Sequence, residues 1–175
     1  MRIEEGIELA RYTTLGTGGA ARAFARPESE REVGELLRWA RERSLGVAVV
    51  GLGSNLLAAD GGVEALVLKL GGELAAVEAD GDVLWVGAGT ANAVALHRAR
   101  AAGLGGFEFA CAIPGTIGGA QISPKHANFI ENADAAATTD ALSLMAEARR
   151  RALDRFGVRL EHEVEFLGAL ELPAL

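Results

Sequence analysis

Gly51-Leu52-Gly53-Ser54-Asn55-Leu56 follows directly on the apolar run Val47-Ala48-Val49-Val50. A buried strand that breaks into a glycine-rich turn leaves several backbone N–H groups unpaired and facing one point, which suits a pyrophosphate. Taken alone, the pattern is equally that of a tight turn after a strand. Two further segments give it weight: Ile113-Pro114-Gly115-Thr116-Ile117-Gly118-Gly119-Ala120, and Gln121-Ile122-Ser123-Pro124-Lys125-His126-Ala127-Asn128-Phe129-Ile130. Leu56 stands where the Rossmann G-x-G-x-x-G pattern needs its third glycine, so NAD on this loop is disfavoured.

Glu163 lies between Glu161 and Glu165 in a stretch that alternates polar and apolar residues. A carboxylic acid delivers a proton near neutrality only if burial or a neighbouring charge raises its pKa. From spacing alone, Glu163 reads as part of a solvated strand face. Lys125 and His126 could meet phosphates or line a pocket, and a packing or capping role fits them equally well. His97 falls inside a helical pattern and His162 alternates with apolar residues, which favours structural roles for both. Three scattered histidines and the single Cys111 offer no metal-ligand spacing, so no metal is expected.

The elements that must position these residues are legible in outline. Ser29-Glu30-Arg31-Glu32 forms a capping box, and Val33, Leu36, Leu37 and Ala40 repeat at helical spacing behind it, with Gly46 as the left-handed exit. This helix leads into a strand at Val47 to Val50, the glycine turn, and a second strand from Ala65 to Leu70. Leu74 to Gly87 reads as a hairpin joined at Asp80-Gly81, a pair suited to a type I′ turn. A helix follows at about Asn92 to Ala102, stopped by Gly103. Leu104 to Ala120 reads as a long ordered loop, and loops of that length in a compact domain are usually functional. Thr138 or Thr139 caps a further helix running to Phe156 and ended by Gly157, with Leu142, Met145, Ala148 and Ala152 on one face. In the final strand, Val158 to Leu167, residues Val158, Leu160, Val164 and Phe166 share one face.

A chain of 175 residues can bury roughly 70% of its unfolded surface, so it should fold without staples. Its formal charge of −7 argues against a general nucleic-acid binder, which needs clustered Lys and Arg. One cysteine excludes an internal disulfide and fits a cytoplasmic setting. The carboxylates of Glu4 and Glu5 stand where a secretion signal would begin its apolar core. No apolar stretch approaches the ~20 residues that span a bilayer, so no membrane insertion is expected. The 23 glycines exceed what an Ala-, Val- and Leu-rich core needs, which suggests backbone brought close to another segment or a ligand.

Thr13-Thr14-Leu15-Gly16-Thr17-Gly18-Gly19-Ala20, the Gly51 to Leu57 turn, Gly118-Gly119-Ala120 behind Pro114, and Lys125-His126-Ala127-Asn128-Phe129 occur in this order. From about Tyr12 to Gly168 the chain resembles the UDP-N-acetylenolpyruvoylglucosamine reductases, also called UDP-N-acetylmuramate dehydrogenases. The resemblance implies an α+β fold, the two-lobed FAD-binding fold of the vanillyl-alcohol-oxidase type. It implies FAD as cofactor, NADPH as hydride donor, and the enolpyruvyl double bond of a UDP-sugar as substrate in peptidoglycan precursor synthesis. It carries flavin contacts over to Gly51, Gly53, Ser54, Asn55 and Leu56 for the pyrophosphate, and to Pro114, Gly115, Thr116, Gly118 and Gly119 for a second wall. On this reading, glycine at 51 and 53 lets the main chain approach phosphate oxygens. Glu163 matches the family's active-site glutamate, which helps protonate the reacting carbon, while Lys125 and His126 fall in a matched motif at the substrate side.

The chain departs from that pattern in two places. In the family a substrate-binding lobe separates two Gly-Gly-Ala segments, whereas here Ile117-Gly118-Gly119-Ala120 runs straight into Gln121. The expected organisation is therefore a truncated one: residues 1–120 as the FAD-binding domain, with lobes at about 1–60 and 61–120, joined directly to a C-terminal segment at 121–175. No position matches the family's serine or cysteine proton donor, or its carboxylate-binding arginine and tyrosine, so the resemblance implies a chain without that part of the catalytic set. The surface left bare by the missing lobe is a candidate for self-association. The second departure is Cys111-Ala112 ahead of Ile113, where the family usually has glycine; a positive φ there would cost Ala112 about 1 kcal/mol.

Overall fold

A computed structural model of the chain describes residues 2–119, 136–162 and 164–172. Its elements are β1 (Ile3–Glu4), β2 (Ile7–Glu8), β3 (Ala20–Ala25), α1 (Glu30–Glu42), β4 (Gly46–Val49), β5 (Leu56–Ala58), β6 (Val63–Leu68), β7 (Val77–Asp80), β8 (Val83–Val86), α2 (Asn92–Ala101), α3 (Thr138–Phe156) and β9 (Glu165–Leu167). The α+β class expected from the sequence is met. Lys125, His126 and Glu163 lie outside the described residues.

One sheet runs in the order β1-β3-β6-β4, with β2 also on β3. Strands β3, β6 and β4 are parallel, in a register that sets Ala25 and Val49 on either side of Leu68. β6 is the central strand, and Val63, Leu66, Val67 and Leu68 are all buried, as a strand covered on both faces requires. One face packs Leu66 and Leu68 against Leu36 and Ala40 of α1, and the other packs Val63 and Val67 against Leu9, Phe24 and Val50. The sheet joins β3 and β4 to β6, which begins at Val63, so its strands lie on both sides of residue 60.

Several local expectations shift. Among the described residues β4 pairs with β6 alone, which makes it an edge strand there, and its Val47 and Val49 are exposed instead of buried. Leu37 of α1 is likewise exposed. The left-handed exit from α1 falls at Ser44 (φ +53), and Gly46 already begins β4. Ser29 Oγ accepts from the Glu32 N–H at 3.4 Å, but the Glu32 carboxylate reaches past it to the Glu28 N–H at 2.8 Å.

In the β7–β8 hairpin Asp80 pairs with Val83, so the turn residues are Gly81 and Asp82. Only Gly81 (φ +56) is left-handed, the pattern of a type II′ turn and not I′. Gly157 does end α3 in the left-handed conformation at φ +66. The α3 face buries Leu142 and half-buries Met145, while Ala148 is exposed. The expected strand from Val158 shrinks to β9, because its partner β5 offers only three residues; Val158 and Leu160 are exposed. The loop after α2 contains two short 3-10 turns, Glu108–Ala112 and Ile117–Gly119.

Candidate functional site

Three parallel strands deliver their carboxyl ends to one edge: Arg26 follows β3, Lys69 follows β6, and Val50-Gly51 follow β4. Parallel sheets present free backbone and ligand crevices at that edge. The Gly51–Leu56 turn leaves from it and is tied down from behind. Lys69 Nζ donates to the Gly51 carbonyl at 2.6 Å, the Thr14 N–H to the Gly53 carbonyl at 3.0 Å, and the Glu165 N–H to the Asn55 carbonyl at 3.0 Å. The N–H groups of Leu52, Gly53 and Ser54 donate to no acceptor among the described residues.

The second glycine segment closes on the first. Ser54 Oγ donates to the Pro114 carbonyl at 3.2 Å, and the Thr116 side chain lies where a Cβ on Gly51 would go. Behind it, Thr116 bridges Ala91, the Asn92 N–H donates to the Gly115 carbonyl at 3.0 Å, and the N–H groups of Ile117 and Gly118 donate to Thr90 and Ala88 at 2.9 Å each. Asn92 Nδ2 also holds the Ile113 carbonyl at 3.0 Å. Between the two turns is a cavity of about 310 Å³, bounded by Leu52, Ala93, Cys111, Ile113, Pro114 and Gly115. Two buried side-chain oxygens, Thr17 Oγ1 and Asn92 Oδ1, have no hydrogen-bond partner among the described residues.

Packing within the chain adds its own demand for glycine at 51 and 53. A Cβ on Gly51 would meet Thr116 Oγ1 at 2.6 Å, and one on Gly53 (φ +72) would run into the Tyr12 carbonyl and lie 2.8 Å from Thr13 Cα. Glycine at these positions lets the turn press against its own chain, so the N–H groups are aimed by packing. Gly115 (φ +142) is the open one, with Ser54 Oγ as its nearest neighbour at 3.9 Å. Ala112 lies in the 3-10 turn, and the non-glycine residue described with a positive φ is Ser44, so the feared strain at 112 does not arise.

Sequence reasoning missed two groups. Lys69 reads as an interior strand residue when the strand is drawn through Leu70. It is half-buried beside Tyr12, whose hydroxyl accepts from Arg26 at 2.6 Å and whose ring stacks on Phe24 at 4.7 Å. Burial, with the Arg26 charge adding to it, pulls the Lys69 ammonium below the usual lysine range. Asp60 is the second. Its carboxylate accepts from the Thr138 N–H at 2.7 Å, Thr138 Oγ1 at 2.8 Å and the Gly18 N–H at 3.1 Å. Burial raises its pKa, but these three hydrogen bonds outweigh that and hold it below the ordinary carboxylate value. Asp60 therefore caps α3 from outside, where a threonine cap was expected, and ties the helix to the Thr13–Ala20 motif.

His162 is exposed, with Nδ1 3.0 Å from the Val164 carbonyl and its ring stacked on Phe166. No group of three or more His, Cys, Asp or Glu among the described residues is arranged to hold a metal ion. Among the same residues no helix is long and apolar enough to cross a membrane.

Residues 21–146 match the family described as an FAD binding domain. The chain is 44% identical over 117 residues to UDP-N-acetylenolpyruvoylglucosamine reductase 2 of Symbiobacterium thermophilum, covering 67% of this chain and 38% of that protein. It is 44% identical over 123 residues to the UDP-N-acetylenolpyruvoylglucosamine reductase of a Synechococcus species, covering 69% and 39%. Among solved structures it is similar to the UDP-N-acetylenolpyruvylglucosamine reductase of Thermus caldophilus, with a TM-score of 0.55 and 39% identity over 68% of this chain and 41% of that one. The chain thus spans about two fifths of the length of the relatives it matches.

Proposed function

The chain belongs to the FAD binding domain family, and from that premise we propose that it is a flavoprotein of the UDP-N-acetylenolpyruvoylglucosamine reductase kind, with the FAD pyrophosphate held on the Gly51–Leu56 turn. The observation that carries this is one cavity bordered by both glycine segments, Leu52 of the first and Pro114 and Gly115 of the second, with the Leu52, Gly53 and Ser54 N–H groups donating to no acceptor among the described residues. Unpaired amides converging on a crevice make an anion cradle, and a dinucleotide's paired phosphates supply matching acceptors. The Pro114–Gly119 segment forms the opposite wall. The two walls come from residues 2–70 and 71–119, and we place the lobe division between them. FAD, when bound, would carry a hydride from NADPH to the enolpyruvyl double bond of the UDP-sugar, giving UDP-N-acetylmuramate. The chain's own tasks are to bind, to orient and to supply a proton, and Glu163 is our candidate for the proton, with Lys125 and His126 toward the substrate phosphates. A cytoplasmic setting, without membrane insertion or nucleic-acid binding, fits these substrates.

A second reading is favoured by one observation, the exposure of large apolar side chains on the described surface. On it the chain is a flavin-binding module without turnover, whose exposed apolar residues, Val83 and Trp85 among them, serve self-association. One preparation separates the two. Purified protein should carry FAD absorbance that bleaches with NADPH and recovers on adding the enolpyruvyl UDP-sugar. Absorbance that bleaches but never recovers with the sugar supports the second reading, and a colourless protein that takes up no added FAD refutes both.

A further inference from the structure

The tethers behind the glycine turn form a pattern. No peptide bond described is cis, so each C=O points opposite to the N–H of the next residue. Fixing the Gly51 carbonyl on Lys69 therefore aims the Leu52 N–H the other way, and Leu52 borders the cavity. Fixing the Gly53 carbonyl on the Thr14 N–H does the same for Ser54. Asn55, held by Glu165, continues the alternation. Of these three tethers, those at Gly53 and Asn55 are backbone groups. Lys69 is the side chain, and its bond at 2.6 Å is short and charge-assisted.

We propose that Lys69 is a positioning residue for dinucleotide binding, its ammonium holding the Gly51 carbonyl so that the Leu52 amide faces the phosphates. This rests on the reading of the turn as the FAD pyrophosphate site. The geometry leaves Lys69 behind the turn, where it acts through the Gly51–Leu52 peptide. Its neighbours are the Arg26 guanidinium, which bonds the Tyr12 hydroxyl, and the Tyr12 ring, whose centroid is 5.8 Å from Nζ. Neither supplies a carboxylate, and burial, with the Arg26 charge adding to it, holds the ammonium below the usual lysine range. The grip on Gly51 should weaken as the amine loses its proton.

The test is FAD affinity, read by flavin fluorescence quenching, for the wild-type chain, Lys69→Met and Lys69→Arg between about pH 7 and 10. Lys69→Met should lose about tenfold or more in affinity, the scale of one charged hydrogen bond. Lys69→Arg should stay within about threefold of wild type at neutral pH, because its charge cannot titrate here. Wild-type affinity should decline toward alkaline pH, and Lys69→Arg should remove that decline. Lys69→Met binding FAD as tightly as wild type overturns the positioning role alone. If Lys69→Met does not fold, the arginine variant decides, and an unchanged alkaline decline overturns the role. A wild-type chain that takes up no FAD refutes the flavin reading, and the role of Lys69 falls with it.

Discussion

Replacing Gly53 with alanine measures how far the cradle depends on the turn lying against its own chain. Two costs add at this position. Gly53 sits at φ +72, a conformation that costs a residue with a Cβ about 1–2 kcal/mol. The new methyl would also run into the Tyr12 carbonyl and stand 2.8 Å from Thr13 Cα, both backbone atoms that cannot swing aside. Overpacking of this kind costs about 1–3 kcal/mol, so Gly53→Ala should lose about 2–5 kcal/mol in all. Gly6 supplies the control, since it has nearly the same φ (+67) with nothing within 4 Å of its missing Cβ. Gly6→Ala should lose only the conformational part, about 1–2 kcal/mol. Urea unfolding of the two variants gives the difference directly, and FAD content reports its consequence. To relieve the clash the turn must lift off Tyr12, breaking the Thr14 to Gly53 bond that aims the Ser54 amide. Gly53→Ala should therefore lose its flavin while Gly6→Ala keeps it. Equal unfolding free energies for the two variants would refute the packing of the turn on Tyr12 and Thr13.

Asp60→Ala removes three hydrogen bonds and strands the buried Thr138 N–H, so it should cost about 2 kcal/mol and lower the melting temperature by about 4–8 °C. Because the folded pKa of Asp60 is depressed, its contribution is present above the unfolded value, about pH 3.9, and is lost as pH falls through the folded one; the gap between wild type and Asp60→Ala in acid unfolding should close there, and a gap that stays constant would contradict the network. Cys111 is exposed and borders the cavity, so saturating FAD should slow its alkylation by a maleimide, and an unchanged rate would place the flavin elsewhere.

How much of this was legible in the sequence depended on the range of the interactions. The Gly51–Leu56 turn could be read because an apolar run followed by spaced glycines is a local signal, and the helices were legible from spacing and capping residues over a few turns. The role of those glycines was not legible, because what fills the place of a Cβ at 51 is Thr116 and at 53 is Tyr12. The edge position of β4 escaped for a related reason: periodicity says which residues are apolar, and pairing decides which are covered. Asp60 carries no local motif for capping a helix that begins 78 residues later. Lys69 was masked by a boundary error of two residues, which turned the first position beyond a strand into an interior one.

Those long-range ties also bear on how the proposed binding tasks divide between segments of the chain. The cradle is built from the carboxyl edge of the β3-β6-β4 sheet, the Tyr12–Thr14 segment, the wall at Ile113–Gly118 and one contact from Glu165. Apart from that contact, every group among the described residues that aims the Leu52 and Ser54 amides or lines the cavity lies within residues 12–118. On the proposed reading, flavin retention rests on the turn and its wall, and we assign the binding and protonation of a sugar nucleotide to Lys125, His126 and Glu163. The two capacities rest on different segments, so they should separate on substitution. Glu163→Gln should leave FAD affinity unchanged while abolishing reoxidation of the NADPH-reduced protein by the UDP-sugar. A loss of FAD in Glu163→Gln would mean that the C-terminal segment helps to build the cradle, and the division of labour drawn here would be wrong.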